Sequence, residues 1–256
     1  MLPVTTTRLY LIRHGQSFGN AEHMMVGMAT DRGLSELGRT QAAHLRDRLA
    51  ATGELAADVL IASSLPRARE TAEIIAPALG LPVRLDDDVH ELRSGEGEGL
   101  GFEQHQALYG GWPGRAATEP VDPGGESWTE FSERVTRALE RITTEHAGRS
   151  VVVVCHGGVI DASLTHFFAL ERTAFPPVRI RAHNTSITEW ELTDHDPGRW
   201  GLVRYNDDVH VLDIGGSERI RWAVARSSRA RAEDEPTSPL PTEAPDHGDG
   251  LASVSA

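Results

Sequence analysis

Two hydrophobic rhythms alternate along this chain. Arg8-Leu9-Tyr10-Leu11-Ile12 is a short apolar run, and after a glycine-bearing loop Ser35 to Ala51 places Leu37, Ala42, Leu45 and Leu49 at helical spacing. The pattern predicts strand, loop, helix. It repeats with a strand over Asp58 to Ala62 and a helix that starts at Pro66, runs through Ala72, Ile75 and Leu79 and stops at Gly80. Val83 to Leu85 reads as a short third strand, and Ser127 to His146, with Trp128, Phe131, Val135, Leu139 and Ile142, as an amphipathic helix. Ser150-Val151-Val152-Val153-Val154-Cys155 is the most β-prone run; being apolar on both faces, it is expected as a central parallel strand. A helix over Gly157 to Leu170 and strands over Thr185 to Leu192 and Leu202 to Tyr205 complete the series. The alternation predicts an α/β fold, an open and mostly parallel sheet with helices on both faces.

Composition sharpens this picture at the end of the chain. From Ser227 onward there are four prolines, no aromatic residue, and six acids against Arg229 and Arg231. Such a segment buries too little to offset its ordering entropy, so residues 227–256 are expected as a disordered acidic tail behind one domain over 1–226.

Charge and residue usage then narrow the chemistry. The net charge of −13 repels nucleic acid and anionic lipid. All 25 basic residues are arginine, which removes Schiff-base chemistry and a P-loop lysine. The lone Cys155 removes a disulfide framework and a thiolate metal cluster, and neither a leader-like N-terminus nor a membrane-length apolar run is present. The expectation is a cytoplasmic protein with no nucleic-acid or membrane partner.

Ligands of open α/β sheets sit beyond the C-terminal ends of the strands, and three of those ends here are polar. The first strand ends in Arg13-His14-Gly15, the second in Ser63-Ser64-Leu65-Pro66-Arg67, and the valine-rich one in His156-Gly157-Gly158. Two histidines and two arginines thereby converge on one rim. Arginine forks and the N–H groups of a helix start both favour anions, so the expected guest is a phosphoryl group.

Leu11-Ile12-Arg13-His14-Gly15-Gln16-Ser17 with Asn20 resembles the signature of the histidine phosphatase superfamily, also called phosphoglycerate mutase-like. Further similar pieces follow in the family's order: Gly33 to Gly38 with Gln41-Ala42, Ser63-x-Leu65-x-Arg67-Ala68-x-x-Thr71-Ala72, and Glu91-x-x-x-Gly95-x-x-Glu98-Gly99. Gly125-Glu126-Ser127, Val153 to Gly158, Asn184-Thr185-Ser186, and Asn206-Asp207 with His210 complete the set. The resemblance covers about residues 8 to 213.

What the resemblance implies is a phosphomonoesterase working through a phosphohistidine on a small phosphorylated metabolite, with no cofactor and no metal. His14 would be the nucleophile, and Arg13, Arg67 and His156 would counter the charge of the transferring phosphoryl group, with Asn20 and the Gly157 backbone also on the phosphate. Glu91 would be the general acid, with Glu96 and Glu98 as competitors and a solvated acidic turn after Asp86-Asp87-Asp88 as the plain alternative. Cys155 is expected as buried filler, and His210 as a structural residue. Gly97 and Asp161 depart from the family's usual tryptophan and arginine, pointing to an unusual leaving-group side beneath a cap over residues 100–125 that includes His105, Tyr109, Trp112 and Arg115. A phosphoglycerate mutase and a silent phosphate-binding module are the alternative functions. The substrate's identity, the pathway and the oligomeric state, homodimer included, stay open.

Overall fold

Six hydrophobic runs become the strands β1 (Thr6–Arg13), β2 (Val59–Ala62), β3 (Val83–Leu85), β4 (Ser150–Cys155), β5 (Ile187–Thr193) and β6 (Gly201–Asp207). This computed structural model describes residues 5–110, 115–176, 178 and 180–214. The expected acidic tail and Trp112 of the expected cap lie outside the described residues. The sheet order is β3-β2-β4-β1-β5-β6, with β1 to β4 mutually parallel and β5 and β6 antiparallel at one edge. Every residue of β4 is buried, in keeping with its place between β2 and β1.

The helices are α1 (Phe18–Glu22), α2 (Glu36–Thr52), α3 (Pro66–Leu79), α4 (Phe102–Tyr109), α5 (Trp128–Glu145) and α6 (Gly157–Phe167). Alternation along the strands divides the core in two. Leu9, Leu11, Val151, Val153 and Cys155 pack with Phe131, Val135, Leu139 and Ile142 of α5 and with Val159 and Ile160 of α6. Tyr10, Ile12, Val152 and Val154 pack with Leu45 and Leu49 of α2 and with Ala68, Ala72 and Ile75 of α3. Each large side chain buried this way contributes about 1.5–3 kcal/mol. Cys155 is filler in the first layer, and burial pushes its thiol pKa up.

Local chemistry sets the element ends. Pro66 occupies the first turn of α3, Gly80 closes it at φ +66°, and Ser127 and Glu130 form a reciprocal cap on α5. Two expected boundaries shift for a backbone reason. Ala169 takes φ +53° and ends the helix at Phe167, and Thr185 takes φ +58° and delays β5 to Ile187. His210 is structural: its Nε2 lies 3.0 Å from Thr185 Oγ1, while Thr185 N–H donates to the Arg13 carbonyl at 2.9 Å. Burial and the nearby Arg48 push the His210 pKa down to about 4. Among the described residues no helix is long and apolar enough to cross a membrane.

The loop leaving β1 lies directly on the first turn of α2. A Cβ on Gly15 would sit 2.5 Å from the Gly38 carbonyl oxygen, and one on Gly38 would sit 2.0 Å from the Gln16 carbonyl oxygen. Both contacts are backbone and cannot swing away. Gly38→Ala is therefore expected to cost about 1–3 kcal/mol in urea unfolding and to lower activity by displacing the loop. Gly53→Ala, in open space, is the control: strained only by its φ of +60°, it should cost stability and leave activity intact.

Candidate active site

His14 follows the last residue of β1, where its N–H donates to the Cys155 carbonyl at 3.0 Å and its carbonyl receives Asn184 Nδ2 at 2.9 Å. Two motif residues hold the next turn. Gly15 N–H donates to Thr71 Oγ1 at 3.0 Å, and Gln16 N–H to Gln41 Oε1 at 2.8 Å. His14 as a residue is only 3% exposed and lines the cleft.

Its tautomer follows from its partners. Nδ1 lies 2.6 Å from the Gly15 carbonyl oxygen and must carry the proton, which leaves a lone pair on Nε2. That lone pair accepts from Arg67 Nε at 3.2 Å. Burial, then the Arg67 and Arg13 guanidinium charges, hold the His14 pKa well below its ordinary value. The ring is neutral at physiological pH.

Arg67 stands on the first turn of α3, nearly covered, and its Nη1 donates to Asp31 Oδ2 at 2.8 Å. Asp31 is a site residue that the sequence reading missed. No periodicity marks it, and its partner lies 36 positions away. Arg13 Nη1 donates to the Ala182 carbonyl at 2.6 Å, which brings the fork onto the same rim. His156 is fully buried, its ring centroid 5.2 Å from that of His14 and its Nε2 2.8 Å from Ser63 Oγ. Its Nδ1 is a buried polar atom with no hydrogen-bond partner among the described residues. Burial and the Arg67 charge keep this ring neutral as well.

Asn20 Oδ1 accepts from Ser17 N–H at 3.2 Å and Asn184 Nδ2 at 3.4 Å, which turns its Nδ2 donor away from those partners on a residue that lines the cleft. Gly157 opens α6 beside Arg13 Nε, while the neighbour that lines the cleft is Gly158. The Gly158 N–H donates to Glu91 Oε2 at 3.1 Å, and the Leu92 N–H donates to Glu91 Oε1 at 3.0 Å. A Cβ at Gly158 would lie 2.2 Å from Glu91 Oε1, so glycine there is what admits the carboxylate.

The three candidate acids stand in different surroundings. Glu91 lines the cleft with His14, Arg13, Arg67 and Asn20. Glu98 instead receives Ala29 N–H at 2.8 Å and Thr30 N–H at 3.0 Å, fastening the loop that carries Asp31. Glu96 is exposed. Asp86 and Asp88 pair with Arg141, so the acidic turn is a surface feature separate from Glu91.

The cleft has a volume of about 1090 Å³. Its outer wall includes Phe102, His105 and Gln106 of α4, Arg115, and Asp161 of α6. The departure at Gly97 has a steric cause. Its Cβ would fall 2.1 Å from Asp122 Oδ2, whose buried carboxylate is 2.8 Å from His105 Nε2. A tryptophan has no room beside that pair. Among the described residues no group of three or more His, Cys, Asp or Glu side chains is placed to hold a metal ion.

Residues 9–208 match the histidine phosphatase superfamily, branch 1. Phosphoglycerate mutase-like protein 4 of Arabidopsis thaliana is 32% identical over 219 residues, covering 83% of this chain and 90% of that one. A probable phosphatase of Schizosaccharomyces pombe is 33% identical over 214 residues, covering 80% and 95%. Among solved structures, a mycobacterial glucosyl-3-phosphoglycerate phosphatase superposes with a TM-score of 0.66 at 30% identity, covering 78% of this chain and 99% of that one. With two buried histidines and two arginines at parallel strand ends and this match across the ordered sheet, the chain belongs to branch 1 of the histidine phosphatase superfamily.

Proposed function

We propose that the protein is a phosphomonoester hydrolase that works through a phosphohistidine on His14. The observation that carries this reading is the His14 tautomer: a buried, neutral ring with its proton locked on Nδ1 and its Nε2 lone pair against a guanidinium group. As a phosphoryl group docks, Arg67 Nε–H moves from that lone pair to a phosphoryl oxygen, and Nε2 attacks phosphorus opposite the leaving oxygen. The N–P bond forms as the P–O bond breaks. Arg13, Arg67 and Asn20 take the equatorial oxygens, and the unpartnered His156 Nδ1 offers one more buried polar contact.

Glu91 gives its proton to the departing alkoxide, then takes one from the water that attacks phosphorus. The N–P bond breaks, inorganic phosphate leaves, and His14 is regenerated. Glu91 fits both steps because it is anchored at the start of α6 and lines the same cleft as His14. The substrate is a small phosphorylated metabolite whose organic part occupies the outer cleft. A volume of about 1090 Å³ with Phe102, Phe175 and Met25 on its wall suits a leaving group well beyond a phosphate in size. The named phosphatases among its relatives support hydrolysis, while others of similar identity carry mutase names. The lysine-free cap favours hydrolysis.

His14→Ala is expected to lower p-nitrophenyl phosphate turnover by about three orders of magnitude or more, with an unchanged circular dichroism spectrum. Unchanged turnover would assign the attack to another residue. With 3-phosphoglycerate and a bisphosphoglycerate primer, released phosphate should exceed isomerised product; efficient isomerisation with little phosphate would overturn hydrolysis.

The pH profile carries a further expectation. His14 must be unprotonated to attack, and its folded pKa lies below 6.5, so the His14 limb of kcat/KM should fall only at more acidic pH. Arg67→Met removes a positive neighbour, eases protonation of the ring, and should move that limb to higher pH whatever its effect on the maximum. A limb that stays put would remove Arg67 from the electrostatics of His14.

A further inference from the structure

The segment that carries Glu91 has no regular secondary structure at that residue, yet its carboxylate must meet a leaving oxygen within a few tenths of an ångström. What holds it is a side chain on α5. Arg134 Nη1 donates to the carbonyls of Asp88 at 2.8 Å and His90 at 3.1 Å, and Nη2 reaches the Glu91 carbonyl at 3.4 Å. Its other edge grips Glu126, Nε to Oε1 at 2.8 Å and Nη2 to Oε2 at 2.7 Å.

Glu126 completes the bracket from the far side of the acid. Its carboxylate accepts from Arg93 N–H at 3.1 Å, and its own N–H donates to the Arg93 carbonyl at 2.9 Å. Residues 88 to 93 are thus tied down on both sides of Glu91 by one nearly covered ion pair. The same guanidinium lies 5.2 Å from the centroid of the Phe131 ring, and Phe131 Cζ packs against Gly158, whose N–H holds the Glu91 carboxylate. Other arginines of α5 make ordinary surface pairs: Arg137 with Glu133, and Arg141 with Asp86 and Asp88.

We infer that Arg134, aimed by Glu126, is a positioning residue that sets the Glu91 carboxyl against the leaving oxygen. The inference rests on the reading of Glu91 as general acid. Only a planar fork spread over three nitrogens reaches both the carbonyls and the carboxylate, so lysine, whose three donors radiate from one nitrogen, does not substitute.

The test uses the full chain and a series of substituted phenyl phosphates, from p-nitrophenyl, whose leaving phenolate needs little protonation, to phenyl, which depends on it. kcat/KM reports the step that forms the phosphohistidine. In Glu91→Gln the loss should grow toward phenyl phosphate. Arg134→Lys and Glu126→Gln should follow the same trend, with phenyl phosphate losing about tenfold more than p-nitrophenyl phosphate. Arg134→Lys placed on Glu91→Gln should add no further selectivity. Should Arg134→Lys fail to fold by thermal melting, Glu126→Gln, which keeps shape and removes charge, decides. If Glu91→Gln lowers the whole series equally, the general-acid reading fails and the positioning role falls with it. If Glu91→Gln is selective but the Arg134 and Glu126 variants lower the series uniformly, the clamp supports the fold alone and this proposal is overturned.

Discussion

Keeping an imidazole neutral, tautomerically fixed and buried between two guanidinium groups is the constraint around which this protein is built. Desolvation and like charge both press the His14 proton off, and the Gly15 carbonyl decides which nitrogen keeps the other one. A guanidinium as covered as that of Arg67 would itself be costly without a counterion. Asp31 supplies it, and Glu98 holds the loop that carries Asp31. The charge next to His14 is therefore sustained through a chain of contacts from Glu98 through the Asp31 loop to α3.

That chain explains why residues remote from phosphate belong to the site. Thr71 and Gln41 receive the backbone N–H groups just after His14, and Gly15 and Gly38 let two backbones approach where no side chain fits. The ring's orientation is a product of the loop's backbone path. Any substituent that lifts the loop from α2 also turns the lone pair away from its target.

Glu91 is organised on a different principle. His14 projects from a strand end, whereas Glu91 sits on irregular backbone and borrows rigidity from α5 and α6. The two halves of the site are fastened to opposite layers. The His14 loop and Arg67 belong with α2 and α3, and Glu91 with the α5 and α6 side, so packing of both helix layers on the sheet is what brings them together.

Periodicity alone was enough to place the parallel strands, the helices α2, α3, α5 and α6 and the polar strand ends, though not the short α1 and α4, because burial on one face leaves a repeat in the local sequence. It also singled out His14, Arg13, Arg67 and His156, which stand where those repeats stop. Tertiary structure decided the rest. Asp31 meets Arg67 across 36 residues, Arg134 meets the Glu91 segment across 43, and Gly97 yields to the Asp122–His105 pair, contacts that leave no period in the chain. Glu91 and Glu98 have similar local surroundings in sequence, and only the path of the backbone between β3 and α4 sends one carboxylate into the cleft and the other onto a loop. Local patterning encodes which face of an element is buried; which side chains then meet depends on distances that exist only once the layers have packed.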